Sequence, residues 1–367
     1  RTYDFQGTVA GEYPLDHKEA DIDDPGTGFL WDNVAHHGLS YRDYGEYVNA
    51  AWCNKIRKVE SPKQGTPSTQ ESACPRTEVH QGEVLEPNVG DPHAGTSPWP
   101  WAVPLFNGVK ATKAVLRDHF DPLYPDFNTD YPDQLRVDEF MNEFSSYVRA
   151  KQENEGAEFQ LPAFVLLYLP DDHTGGTRPE KPRPAASVAD NDLALGRVVD
   201  AVSHSPYWDD TAIFVLEDDA QDAQDGGDHV DAHRSIAFVV SKYSPGTSSE
   251  PYVEHRFYTT VNVIHTMEML LGLPPMNQND AYAPVIGQLF SGKGDQPAFK
   301  ADYRNLKNDL IYETNKRDAK GANESAKMDF SRPDAAGAGR LNRVLWRDQM
   351  GDAPVPAPKH SVFPGGD

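Results

Sequence analysis

Residues 164–176, FVLLYLPDDHTGG, decide how this chain is read, because one run holds both a structural element and a cluster of reactive side chains. Phe164–Leu169 is apolar without a break, which reads as a β-strand buried on both faces. The run stops at Pro170 and opens into Asp171, Asp172 and His173, followed by the turn formers Gly175 and Gly176.

The same pattern recurs downstream. Thr211–Leu216 (TAIFVL) runs into Glu217, Asp218 and Asp219, and Ile236–Ser241 (IAFVVS) follows Asp228-His229-Val230-Asp231-Ala232-His233-Arg234. Between the first two strands, Val188, Leu195, Val198, Val199 and Val202 follow a 3.6-residue period, so a helix connects them. Strand, helix and strand of this size predict a right-handed βαβ unit in a mostly parallel sheet. Upstream, a helix over Phe29–His37 stops at Gly38 before a strand at Ser40–Tyr44. Another helix is expected over Thr260–Leu271, ending at Gly272 and Pro274. The fold class is α/β, with a central mostly parallel β-sheet flanked by helices. Residues 1–291 read as one domain, interrupted by a Pro-, Gly- and Ser-rich surface excursion over about 54–100. Residues 292–367 read as a polar C-terminal extension packing on that domain.

Composition narrows the functions available. The 367 residues are 38% hydrophobic, enough for a sizeable core, but no run approaches the ~18–20 apolar residues that span a bilayer. A formal net charge of −23 repels nucleic acid and anionic membrane surfaces, so neither is an expected partner, nor is stable membrane insertion. Most of the acids serve solubility. Cys53 and Cys74 are too few for a disulfide framework but suffice for one bridge if the protein is exported.

In open parallel sheets, ligands bind just beyond the carboxyl ends of the strands, and three clusters of acids and histidines map to such positions. Adjacent carboxylates repel, and burial raises that cost; a divalent cation removes it. Mixed carboxylate and imidazole donors suit Zn, Mn or Fe better than an all-oxygen Ca site. Two such ions can clamp the attacking and leaving oxygens of a phosphoryl transfer. A lone Asp-Asp at a strand end is more often a solvated turn, so it is the convergence of three clusters that favours the metal reading. The clusters supply candidate ligands that include Asp172, His173, Asp218, Asp219, His229 and His233, beside Asp171, Glu217, Asp228 and Asp231, and His173 and His229 are candidates for catalysis. His36, His37, His119, His204, His255 and His265 have no comparable cluster and read as structural or surface residues.

YLPDDHTGGTRP (168–179), VADNDLALGRVVDAVSHSPYWDDTAIFVLEDDAQ (188–221) and GDHVDAHRS (227–235) closely resemble bacterial phosphoesterases of the alkaline phosphatase superfamily, related to phospholipase C and to acid phosphatases. GFLWDNVAHHGLSYRDYGEYV (28–48), residues 116–140, 266–281, 328–336 and 345–360 extend the resemblance over most of the chain outside the excursion. The resemblance implies an alkaline phosphatase-like fold, a secreted or periplasmic location, and metal-dependent hydrolysis of small-molecule or lipid phosphate esters through a covalent phospho-enzyme. It assigns Asp218 and Asp219 as carboxylate ligands, matches Asp172 and His173 to the family's Asp-His, and places His229 and His233 at the same site. Arg234 is a candidate for holding a phosphate oxygen, against a salt bridge to a neighbouring acid. Phospholipase C-type activity and a non-catalytic acidic metal-binding domain are the alternatives.

The family's nucleophile lies in a segment like Glu-Asn-Arg-Thr-Tyr-Asp. Arg1-Thr2-Tyr3-Asp4 matches its end, but too few residues separate it from 28–48, so Thr2 reads as a coincidental match and the nucleophile as lying outside this chain. On that reading the chain binds divalent metal weakly and hydrolyses little p-nitrophenyl phosphate. Robust metal-dependent turnover by the chain would overturn it.

Overall fold

The computed structural model describes residues 25–54, 57–60, 67–70, 74–85, 95–217, 235–331 and 336–355. Its elements alternate in a mixed α/β arrangement. They run α1 (Leu30–His36), β1 (Tyr41–Tyr44), β2 (Val48–Trp52), β3 (Arg57–Glu60), β4 (Pro67–Gln70), β5 (Glu78–Val79), β6 (Val84–Leu85), β7 (Gly95–Thr96), β8 (Val103–Pro104) and β9 (Phe106–Ala111). After these come α2 (Asp133–Gln152), β10 (Phe164–Leu167), α3 (Pro184–Ser203), β11 (Ala212–Leu216), β12 (Ala237–Ser241), α4 (Thr260–Leu271) and α5 (Ala338–Met350).

The helix ends follow their local chemistry. At the start of α1, the Phe29 amide donates to Asp32 Oδ2 at 2.8 Å, which settles one orphan donor. Past its end, Gly38 sits at φ +69 and donates to the Ala35 carbonyl. Proline precedes α2 (Pro132) and opens α3 (Pro184), where its missing N–H costs nothing. The Thr259 amide donates to Asn262 Oδ1 at 2.7 Å at the start of α4, and Gly272 ends that helix in the left-handed region.

β1 pairs with β10 in parallel, Tyr41 opposite Phe164 and Tyr44 opposite Leu167. The remaining ladders are antiparallel: β2 with β9, β3 with β4, β5 with β8, β6 with β7 and β11 with β12. Among the described residues every sheet therefore has two strands, one pair being parallel, and no large central sheet forms. The expected βαβ unit does not form among the described residues, because β10 pairs with β1 and not with β11. α3 does join β10 to β11, but β11 takes β12 as an antiparallel partner, with Leu216 opposite Ala237. An unbroken apolar run is compatible with either pairing, so sequence did not distinguish them. These strands are also only half-buried where burial on both faces was expected, and Ile236 and Phe238 are more than half exposed.

The β1–β10 pair separates two apolar clusters. Tyr44, Val165 and Leu167 pack with Val137, Phe140 and Phe144 of α2 and Val198 and Val202 of α3. Tyr41, Phe164 and Leu166 pack with Trp31 and Val34 of α1, and with Leu116 and Leu273. The described part of 54–100 supplies Val79, Leu85 and Trp99 to a third cluster with Trp52, Trp101, Phe106 and Leu135. Part of that segment is thus packed into a core shared with β2, β9 and α2, and the Cys53–Cys74 disulfide ties its start. No helix among the described residues is long and apolar enough to cross a membrane.

Asp43 on β1 is 1% exposed, and neither of its oxygens accepts a hydrogen bond of good geometry, the Glu46 amide being a weak contact. Burial drives its carboxyl up to about 8, the charge of Glu46 adds to the rise, and the Glu46 amide and Arg42 pull it back only in part. A raised folded-state value means stability that is complete below the unfolded value near pH 4 and declines as pH rises toward about 8. Ionising the group inside the fold costs about 1.4 kcal/mol per pH unit of that rise. Asp43→Asn is therefore expected to match the parent near pH 4 and exceed its stability at pH 8. Denaturant titrations at both pH values check this, and a less stable variant at pH 8 would refute it.

Candidate metal centre

Beyond the carboxyl end of β10, Asp171–His173 form a single 3₁₀ turn. Asp171 is buried inward, Asp172 is exposed to solvent, and His173 lies between, its ring edge-on to Phe127 at 5.0 Å. The turn closes through the Thr174 amide, which donates to the Asp171 carbonyl at 3.2 Å.

Directly behind it, three carboxylates meet. Asp133 at the start of α2, Asp171, and Asp190 on α3 bring ligand atoms within 4.8 Å of one another, and all three are buried. Their hydrogen bonds fix the turn to both helices. Asp133 Oδ2 accepts from the Asp171 amide at 3.0 Å and from Asn191 Nδ2 at 3.1 Å. The same Asn191 amide group donates to the Leu169 carbonyl at 2.8 Å, holding the last residues of the apolar run. Asp190 Oδ2 accepts from the Asp133 amide at 2.6 Å, and Gln134 Nε2 donates to the Asp190 carbonyl at 2.7 Å. Arg136, fully buried, donates to Asp133 Oδ1 at 3.1 Å and to the Tyr131 carbonyl at 2.5 Å.

Three buried acids against one buried guanidinium leave an excess of negative charge. Two arrangements relieve it: protons on the carboxyls, or a cation among them. Burial, followed by the charges of Asp133 and Asp190, pushes Asp171 well above the usual carboxylate range, and its side chain lies in hydrogen-bonding contact with Asp190. Burial likewise raises Asp133 to about 7 and Asp190 to about 6, so a proton held within the triad belongs to the three acids together. The triad could also hold a metal ion, and its all-oxygen donor set favours a hard ion such as Ca or Mn over Zn. Arg136 occupies part of the charge such an ion would satisfy. The burial of all three acids keeps substrate away, so an ion here would be structural.

The residues expected to form the site fall into two groups. Asp172 and His173 share the turn just described. Asp218, Asp219, His229, His233 and Arg234, with Thr2, lie outside the described residues. What flanks the 218–234 segment is ordered by the β11–β12 ladder, where the Glu217 amide donates to the Ile236 carbonyl at 3.1 Å. Asp133 and Asp190 were not singled out from sequence. A signal existed for Asp190: it shares the buried stripe of α3 with Ala186, Ala189, Leu193 and Ala194, where a charged residue needs a partner. The chain matches no model of a known protein family, no curated protein and no solved structure.

Asp171→Asn separates proton from cation. The amide supplies a permanent N–H toward Asp190, so a proton-sharing triad predicts equal or higher thermal stability at pH 8. A cation-filled triad predicts the opposite, a loss of stability together with a loss of bound metal measured by elemental analysis.

Proposed function

We propose that this chain carries the metal-ligand site of a metal-dependent phosphoesterase acting on phosphate mono- or diesters. The observation that carries the reading is the Asp172–His173 turn: a solvent-facing carboxylate beside an imidazole, just past the carboxyl end of a strand in a parallel pair, backed by a buried hydrogen-bonded anchor. This is where an α/β fold keeps its reactive groups. The motif resemblance adds Asp218, Asp219, His229 and His233 to the same ligand set, and with it the alkaline phosphatase-like fold and export. The Cys53–Cys74 disulfide suits an oxidising compartment.

A bound divalent ion would supply Lewis acidity at the phosphoryl oxygen and a more acidic bound water. The chain's own part is positional. Asp172 offers an oxygen donor to solvent from a turn whose neighbour, Asp171, is held by its amide to Asp133. His173 offers an imidazole whose ring is braced against Phe127, which limits its orientations.

The test measures metal uptake and p-nitrophenyl phosphate hydrolysis together, for the parent chain and for Asp172→Ala, Asp218→Ala and His229→Ala. Each substitution is expected to lower bound Zn or Mn, and whatever hydrolysis the parent shows should fall in parallel. Metal loss with hydrolysis untouched would favour a non-catalytic metal-binding domain. Metal uptake indifferent to all three would sink the reading.

A further inference from the structure

We propose that the segment 315–325 of the C-terminal region is the positioning element of the Asp172–His173 turn, working through Asn315 and Ser325. The inference rests on the metal-binding reading above.

The turn does not hold itself. Thr174, the residue after His173, is buried with φ 50 and ψ 160, a region that costs a non-glycine residue on the order of 1–3 kcal/mol and persists only where surroundings enforce it. Its local help is two bonds, the Thr174 amide donating to the Asp171 carbonyl and Thr174 Oγ1 accepting from the Gly176 amide, both at 3.2 Å. The enforcement comes from residues some 140 positions later. The Thr177 amide donates to Ser325 Oγ at 3.0 Å, and the Thr177 hydroxyl donates to the Lys320 carbonyl at 3.0 Å. Asn315 Nδ2 meets the carbonyl oxygens of Gly176, Arg178, Lys181 and Pro182 at 3.1, 3.0, 3.2 and 2.9 Å. Four backbone acceptors thus converge on one amide group with two hydrogens. Backbone bonds add to this, Glu180 donating to the Asn315 carbonyl and Asn315 donating to the Lys181 carbonyl, both at 2.9 Å.

Packing leaves little room for an alternative path. Asn315 and Ser325 are both buried, so water does not replace them. Gly176 has φ +63, and a Cβ placed there would stand 2.8 Å from Ser325 Oγ, so the two segments touch backbone to side chain. Arg178 continues the contact by lying over the Phe330 ring at 4.8 Å. The clamp therefore grips residues 176–182, immediately beyond the strained residue, and the strain is transmitted to His173 through the closed 3₁₀ turn.

The experiment is zinc binding to the full chain by titration calorimetry, beside thermal unfolding. Thr177→Val removes the clamped hydroxyl at constant shape and Ser325→Ala removes the acceptor of the Thr177 amide; Thr177→Ser keeps the hydroxyl. Ile311→Val, in the same C-terminal region but packed on Ala189 and Leu193, serves as a control for plain destabilisation. Thr177→Val and Ser325→Ala are expected to weaken zinc binding about tenfold, as loss of outer support to a metal ligand does, with Thr177→Ser near the parent. Ile311→Val is expected to lower the melting temperature without moving the zinc affinity. If Thr177→Val and Ser325→Ala bind zinc like the parent and only melt earlier, the segment is merely structural and the proposal fails. A parent chain that binds no zinc overturns both this proposal and the metal-binding reading on which it rests.

Discussion

Asp133 holds three parts of the molecule with one residue. Its Oδ2 accepts the Asp171 amide and the Asn191 side chain, its Oδ1 takes Arg136, and its own amide donates to Asp190. The turn after β10, the first turn of α2 and the second turn of α3 are thereby fixed to one another. A buried charge so placed is expensive to strand: removing one partner of such a pair costs about 3–5 kcal/mol. The position of Asp133 in the first turn of α2 adds a favourable interaction with the helix dipole. The turn that carries Asp172 is tied to both helices through this anchor.

Two further constraints act from outside. Residues 120–131 link the neighbouring β-rich region to the site, since Asp126 accepts from Trp52 Nε1 at 2.6 Å while Phe127 braces His173. The Asp130 carbonyl accepts from Trp101 Nε1 at 2.9 Å, and its carboxylate takes Lys181 Nζ at 2.8 Å. The C-terminal region closes the other side through Asn315 and Ser325. Support for the exposed Asp172 and the half-buried His173 is thus drawn from several separate parts of the chain.

The apolar strands have a different balance. β10, β11 and β12 carry enough hydrophobic surface for a sheet covered on both faces, yet among the described residues they are half-buried. Leu216, Ile236 and Phe238 leave apolar area in solvent that burial would otherwise turn into stability at about 25 cal/mol per Å². A well-packed core lies where α2 and α3 cross β1 and β10, and another around Trp52, Trp99 and Phe106.

Sequence alone determined the local elements. Unbroken apolar runs marked β10, β11 and β12, the 3.6-residue period marked α3, and Gly38 and Gly272 marked helix ends, because these depend on neighbours a few residues apart. It also put Asp172 and His173 in a turn after a strand. Tertiary structure decided what periodicity does not encode. Strand pairing is a choice of partner between distant segments, so β11 joined β12 antiparallel although its composition suited a parallel sheet as well. Asp133 and Asp190, 57 positions apart, became one cluster only when α2 packed on α3. Asn315 reads in sequence as one polar residue in a polar stretch; only the approach of residues 176–182 gave its amide four carbonyls to hold.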